Sequence, residues 1–185
     1  LDELVFRRPD YVYWRDPKEI VYGALQEWFY KQNTDPKLQD GRNERIIEEA
    51  INIPEISDTV TLKSNEEWSQ AIKLKAIELG ADAVGITTLE MDRTYQGVSI
   101  PYDTIIVLGL AMDYDEMLAA PDISAGAHVV KEYTRGMKVS KRLASWLRLN
   151  GHDAQPEHGP FAGNLPLIPA AIAAGLGELG KHGSV

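Results

Sequence analysis

Apolar and polar positions divide the chain into stretches with a helical period and short unbroken apolar runs. Three stretches carry apolar residues at helical spacing, which predicts amphipathic helices after Asp16-Pro17, from Ser64 to Gly80, and from Ser124 to Asn150. The runs ADAVGITTL and TIIVLGLAM, the second spanning Thr104 to Met112, have the length and β-branched content of strands. A short helix around Glu44 to Ile51 and a short strand DAQ complete the predicted elements.

Several element boundaries carry the residues that helix ends need. Asp16 is a predicted N-cap, with Pro17 in the first turn, and Ser64 with Glu67 forms a predicted capping box. Asn150-Gly151 is a predicted C-terminal stop. The long helix presents one predicted apolar face, made of Val129, Val130, Tyr133, Met137, Ser140, Ala144 and Leu147.

The order of the stronger elements is helix, strand, strand, long helix, short strand and apolar helix. This order predicts an α/β fold. We divide the chain into a helical lead-in over residues 1–62 and an α/β domain over residues 63–185. Within the lead-in, the polar sequence over residues 31–43 predicts a link between two helices.

The composition is that of an ordinary globular domain, with 44% hydrophobic and 25% charged residues. A formal net charge of −9 argues against a nucleic-acid ligand, because phosphate binding needs clustered basic side chains. No run reaches the roughly 18 apolar residues of a membrane span, and no signal-peptide core is found near the start. We expect a cytoplasmic protein, or an exported one if a leader was removed before Leu1. The absence of cysteine excludes disulfides and thiolate-bound iron–sulfur clusters within these residues.

The closing stretch PLIPAAIAAGLGELGKHGSV consists mostly of small residues. Its run from Ile168 to Ala174 predicts a helix that is buried all round. Two interpretations stay open, a core helix ended by Gly175 and Gly177, or the wall of a pocket whose glycine backbone approaches a ligand closely. The string GLGELG does not predict a dinucleotide site, because it follows a helix rather than a strand.

Two segments, IPAAIAAGLGELGKHG and KEYTRGMKVSKRLASWLRLNGHDAQP, resemble the corrinoid-binding domain shared by reductive dehalogenases and epoxyqueuosine reductases. The resemblance extends to KLKAIELGADAVGITTL and YDTIIVLGLAMDYDEM, and it covers roughly Glu67 to Val185. It implies a nitroreductase-like α/β domain, with a mixed sheet flanked by helices, that holds a cobalamin. It also implies two iron–sulfur clusters in a ferredoxin-like segment that is missing from this chain, so we expect a domain truncated at Val185.

The resemblance implies that the closing stretch and the loop before it contact the corrinoid. The residues concerned are Asn164, Leu165, Pro166, Pro169, Ala173, Leu176, Gly177, Gly180 and His182. Many dehalogenases carry an Asn-Asp pair in this loop, and here the pair is out of register, which leaves Asn164 as the candidate. The family binds its corrinoid without a lower axial ligand, so His158 is not expected to bind cobalt. No two of the four histidines have metal-ligand spacing, and we expect no protein-bound metal ion.

The resemblance also implies a proton donor on the long helix. The dehalogenases carry a tyrosine at the place of Tyr133, whereas epoxyqueuosine reductases use an acidic residue immediately before it, here Glu132. A phenol is a weak acid that usually needs a cationic neighbour, and Arg135, two residues further along the helix, points elsewhere. Taken without the resemblance, Tyr133 is interpreted as a core tyrosine and Glu132 as an exposed carboxylate.

The implied function is corrinoid-dependent reductive dehalogenation, in which hydrogen replaces a halogen of an organohalide. Electrons come from clusters outside this chain, supplied by a ferredoxin or a reductase, and this fragment alone is expected to be inactive. The alternatives are an epoxyqueuosine-reductase-like enzyme and a non-catalytic corrinoid-binding protein. The net acidic charge favours the dehalogenase over a tRNA-modifying enzyme. A membrane-anchor subunit or a homodimer is a further possible partner.

Overall fold

The structure, a computed structural model, describes residues 5–9, 16–32, 34–158, 163–181 and 185. Three short 3-10 turns accompany the regular elements, at Pro17–Glu19, Pro36–Leu38 and Met91–Arg93. In chain order the helices and strands are α1 (Gly23–Gln32), α2 (Gln39–Ala50), α3 (Asn65–Glu78), β1 (Ala83–Thr88), β2 (Thr104–Gly109), α4 (Tyr114–Met117), α5 (Ile123–Leu149) and α6 (Leu167–Ala173).

The first helix begins later than its Asp-Pro signal predicts. Asp16 does act as a cap, accepting the backbone N–H of Lys18 at 3.0 Å, but it caps only the 3-10 turn. The backbone then becomes extended at Ile20, with φ −124° and ψ 144°, and this ends the turn. The helical period of the sequence is therefore realised from Gly23 onward, in α1.

The predicted polar link over residues 31–43 is wrong for most of its length. Asp35 accepts the backbone N–H of Lys37 at 2.8 Å and caps a second 3-10 turn, which leads directly into α2. The short helix predicted around Glu44 to Ile51 is the second half of α2. A polar composition concealed this helix, because α2 buries only a narrow stripe against α5.

Helix α3 and its capping box are confirmed. The backbone N–H of Ser64 donates to Glu67 Oε2 at 2.8 Å, and the backbone N–H of Glu67 donates to Ser64 Oγ at 3.2 Å. After the helix, Gly80 adopts a φ of +106°, a left-handed conformation that glycine accepts without steric cost. This turn directs the chain into β1.

Strands β1 and β2 pair antiparallel, with Ala83 opposite Gly109 and Thr88 opposite Thr104. Over the residues described, these two strands make up the sheet, so the mixed sheet implied by the resemblance is not formed among them. The predicted strand DAQ is wrong, since residues 153–155 have irregular backbone. Arg148 holds this segment beside the end of α5, with Nη1 2.7 Å from Asp153 Oδ1.

Helix α5 has the predicted extent. Asp122 caps its start through the backbone N–H of Ser124, and Asn150 with Gly151, at a φ of +82°, ends it. Its predicted apolar face is confirmed only in part, because Met137, Ala144 and Leu147 are buried whereas Tyr133 is exposed. The other buried positions of this helix are Ala125, Thr134, Val139, Lys141 and Leu143.

Two apolar clusters lie on opposite faces of the hairpin. On one face, Val139 and Leu143 of α5 and Ala76 of α3 pack with Ile106 and the other members of this cluster. On the other face, the second cluster joins Val107, Leu165, Ala170 and Ala171. The described domain is therefore layered, with α3 and α5 on one side of the sheet and α6 on the other.

Helix α6 is buried on one side only, so the prediction that it is buried all round is wrong. Ala170 and Ala171 face the sheet, whereas the side chains of Leu167 and Ile172 are 48% and 38% exposed. Within the described ranges, no helix combines the length and apolar character needed to cross a membrane.

Candidate functional site

Tyr133 lies in the N-terminal half of α5, and 41% of it is exposed to solvent. The interpretation as a core tyrosine is therefore wrong. No hydrogen bond to its hydroxyl is found among the described residues. The phenol is free to meet a ligand, and its position is set by the residues on either side of it.

Thr134, the next residue, is fully buried and fixes this turn of α5 against α2. Its hydroxyl lies 3.1 Å from the carbonyl oxygen of Gly41 and 3.1 Å from that of Val130. A side chain at position 41 would collide with Val130, because a Cβ there would lie 2.8 Å from Val130 Cγ1. Glycine is thus the residue that lets the two helices approach this closely.

Glu132, the residue before the tyrosine, is not an exposed carboxylate as interpreted without the resemblance. Only 14% of its side chain is exposed, and its Oε2 lies 2.6 Å from Nη1 of Arg135. Arg135 also donates to the carbonyl oxygen of Gly80, from Nη2 at 2.9 Å and from Nε at 3.3 Å. Its third partner is the carboxylate of Asp82.

Asp82 connects Arg135 to the backbone just after β2. Its Oδ2 accepts the backbone N–H of Ala111 at 2.8 Å. That N–H, and then the guanidinium of Arg135, hold the pKa of Asp82 below its usual value. The sequence predicts only part of this network. The spacing of Glu132 and Arg135 on one helix is the local signal for part of it, whereas no local pattern indicates Asp82.

The residues predicted to contact a corrinoid divide into inward and outward groups. Leu165 is only 7% exposed and belongs to the second core cluster, with Leu176 packed against it. Pro166 and Pro169 are half-buried, and Ala173 is exposed on the outer side of α6. Leu167, Ile172 and Leu179 are exposed as well. The outer surface of α6 is therefore apolar and uncovered by described residues, whereas the tail after it exposes Glu178 and Lys181 as well as Leu179.

The glycines after α6 have different roles. Gly175 has a φ of +74°, and no described atom lies within 4 Å of the place its Cβ would take. Gly177 is required by packing within the chain, because a Cβ there would lie 2.3 Å from Val185 Cγ1. Gly180 is half-buried, and His182 lies outside the described residues.

Asn164 lies immediately before α6 and is held by residues of two other loops. Its Nδ2 donates to Glu157 Oε1 at 2.6 Å, and its backbone N–H donates to Glu157 Oε2 at 3.1 Å. Its carbonyl oxygen accepts the backbone N–H of Tyr95 at 3.2 Å. These bonds fix the start of α6 near the loop that joins β1 to β2.

Tyr133 and α6 lie on opposite sides of the sheet, because α5 packs in the first core cluster and α6 packs in the second. From Asn164, α6 runs toward Gly85, where a Cβ would lie 2.6 Å from the Cβ of Ala174. The turn that carries Tyr133 is tied to Asp82 at the start of β1, and Gly136 approaches Leu110 just after β2.

The three histidines that the structure describes do not gather into a metal site. His128 Nε2 accepts the backbone N–H of Asp113 at 2.9 Å, and His152 Nε2 lies 3.1 Å from the carbonyl oxygen of Thr61. His158 Nδ1 is buried without a hydrogen-bond partner among described residues. Burial, followed by the positive charge of Arg45, lowers the pKa of His158. Across the described part of the chain, no three His, Asp or Glu side chains are grouped to hold a metal ion.

Comparison with known proteins gives similarity to reductive dehalogenases. Over 82 residues, or 43% of this chain, the sequence is 34% identical to tetrachloroethene reductive dehalogenases of Desulfitobacterium hafniense and Dehalobacter restrictus. The matched part covers 14% of those relatives. No family model matches the chain.

A solved structure, that of the catabolic reductive dehalogenase NpRdhA, superposes with a TM-score of 0.62 at 24% identity. The superposition covers 90% of this chain and 24% of that one. The chain thus shares its α/β fold with a part of a reductive dehalogenase and is homologous to such enzymes over less than half of its length. A nitroreductase-like topology and a relation to epoxyqueuosine reductases stay predictions.

Proposed function

We propose that the chain is part of a corrinoid-dependent reductive dehalogenase. Residues 63–185 would form its nitroreductase-like corrinoid-binding domain. The observation that carries the proposal is the 34% identity to tetrachloroethene reductive dehalogenases over 82 residues. The fold similarity supports it, because it relates nearly the whole chain to a part of another dehalogenase.

The described residues fit a large flat apolar group at α6. The outer side of this helix exposes Leu167, Ile172 and Ala173, and Leu179 is exposed in the tail beyond it. The backbone at Gly175 is open to close approach. A surface with this composition favours a ligand held by broad apolar contact rather than by charge. Leu165 and Leu176 support the helix from the core side.

The reaction converts an organohalide, two electrons and a proton into the dehalogenated compound and a halide ion. A corrinoid held by the outer side of α6 would supply the electron chemistry, and its electrons would come from iron–sulfur clusters outside this cysteine-free chain. Tyr133 gives the proton to the carbon that loses its halogen, and the apolar wall of α6 excludes water from the site. Tyr133 is favoured over Glu132 because the Glu132 carboxylate is bound to Arg135.

The proposal is tested by expressing the protein as its gene encodes it, anaerobically and with added hydroxocobalamin. We expect the purified protein to retain a corrinoid absorption spectrum and to release chloride from tetrachloroethene with reduced methyl viologen as electron donor. The matched control is the same preparation made without a cobalamin source. Chloride release that is equal in both preparations, or corrinoid-loaded protein that releases no chloride from tetrachloroethene and other organohalides, would contradict the proposal.

A further inference from the structure

We infer that Arg135, together with Glu132, Asp82 and Gly80, forms a clamp that positions the phenol of Tyr133 for proton transfer. This inference rests on the proposed function only in taking Tyr133 as the proton donor. These four residues are called the Arg135 clamp. None of them needs to touch the substrate, so they are positioning residues.

The clamp joins three parts of the fold to a single guanidinium. Glu132 belongs to α5 itself, Gly80 ends the turn after α3, and Asp82 precedes β1. The bonds to Glu132 and Gly80 measure 2.6 Å and 2.9 Å. The planar guanidinium presents its donors in a fixed fork, so several acceptors satisfied together define its orientation closely. This turn of α5 is therefore fixed relative to the sheet.

The phenol depends on its neighbours because it has no hydrogen bond of its own among the described residues. Successive helical residues are rotated by about 100°, which places Arg135 and Tyr133 nearly opposite each other on α5. Thr134 holds the helix against α2, and Arg135 holds it against the sheet. With both neighbours fixed, the helix cannot rotate, and Tyr133 is held facing away from the clamp.

The clamp orients the phenol of Tyr133, and the positive charge of Arg135 does not stabilise the phenolate. The guanidinium binds two carboxylates, so its positive charge is already offset where it lies. Arg135 and Tyr133 also lie on nearly opposite sides of α5, so the guanidinium is kept away from the tyrosine hydroxyl. Arg135 is accordingly not the cationic partner that a tyrosine acid needs, which agrees with the sequence-based expectation.

The inference is tested with 3-fluorotyrosine incorporated at position 133, whose fluorine NMR signal reports the surroundings of that ring alone. The test variants are Arg135→Met and the isosteric Asp82→Asn. The control is Arg93→Met, because Arg93 forms the same type of pair with Glu90, at 2.7 Å and three residues apart, near the opposite end of the hairpin. We expect the signal to shift or broaden in both clamp variants and to stay unchanged in the control.

The kinetic readout accompanies the spectroscopic one, on the cobalamin-loaded protein with tetrachloroethene. We expect kcat to fall by about tenfold in the clamp variants with little change in KM, because a displaced proton donor affects the reacting geometry more than substrate binding. A fluorine signal that stays at the wild-type position in folded Asp82→Asn protein overturns the inference, as does an unchanged kcat. If the wild-type protein releases no chloride, the proposed function fails, and the fluorine signal alone then decides on the clamp.

Discussion

Thr134 and Gly41 are 93 positions apart in the chain, yet the threonine hydroxyl lies 3.1 Å from the glycine carbonyl oxygen in a fully buried contact. This bond joins the lead-in to the α/β domain beside the proposed proton donor. The lead-in is therefore a structural support of the site, although it carries little of the resemblance on which the site was predicted.

Replacing Thr134 with valine should destabilise the protein by about 1–3 kcal/mol, since the shape is kept while the carbonyl of Gly41 loses its buried partner. Urea unfolding measures the change. Thr134→Ser is the control, because serine keeps the hydroxyl, and we expect it to stay closer to wild type. A Thr134→Val protein that is as stable as wild type, or more stable than Thr134→Ser, would indicate that the methyl group rather than the hydrogen bond is what matters.

Gly41→Ala and Gly126→Ala should have opposite effects on stability. Both glycines lie within helices, where alanine normally gains about 1 kcal/mol over glycine. At position 126 the nearest atom to a new Cβ is Leu38 Cδ2 at 3.7 Å, which is ordinary contact, so the substitution should stabilise. At position 41 the new Cβ would lie 2.8 Å from Val130 Cγ1, and the collision should outweigh the helix gain. Two melting curves that rise together would contradict this account of α2–α5 packing.

The stability contributed by Asp82 should depend on pH in a defined direction. Its pKa is lowered in the folded protein, by the Ala111 backbone N–H and then by Arg135. A lowered pKa means that the contribution is present above the unfolded-state pKa, about 3.9, and is lost as pH falls through the folded-state pKa. The difference in unfolding free energy between wild type and Asp82→Asn should therefore be largest near neutral pH and shrink below about pH 4. A difference that grows on acidification would contradict the network.

Leu165→Ala and Leu167→Ala should separate the core side of α6 from its outer side. Leu165 is buried, so its truncation should cost about 2–5 kcal/mol of unfolding free energy. Leu167 is half exposed, and its truncation should leave stability nearly unchanged while weakening the retention of cobalamin during gel filtration. Cobalamin retention that is unaffected by Leu167→Ala would argue against an apolar ligand on this surface.

Local signals predicted the elements whose ends are fixed within a few residues. The capping box of Ser64 and Glu67 and the stop at Asn150-Gly151 both stand where the sequence places them. The predicted helix around Glu44 to Ile51 covers only the second half of α2, because the burial of its first turns depends on α5, more than 70 residues further along the chain. The sequence wrongly predicts a strand at DAQ, because nothing local shows that Arg148 binds this segment.

The candidate site was predictable only in outline. The resemblance directs attention to Tyr133 and to the small-sided tail, but only the packing of α5 shows that this tyrosine is exposed rather than part of the core. The pairing of Arg135 with Asp82 crosses 53 residues and leaves no periodic trace in the sequence. Such contacts depend on how the elements pack, which composition and spacing do not specify.

The central claim is that Tyr133 supplies the proton in a corrinoid-dependent dehalogenation. Its most direct measurement compares chloride release from tetrachloroethene by wild-type and Tyr133→Phe protein carrying equal amounts of cobalamin, judged by the visible spectrum. We predict an unchanged spectrum and a rate at least about 100-fold lower, the usual contribution of a general acid. A Tyr133→Phe protein that turns over at the wild-type rate would contradict the account.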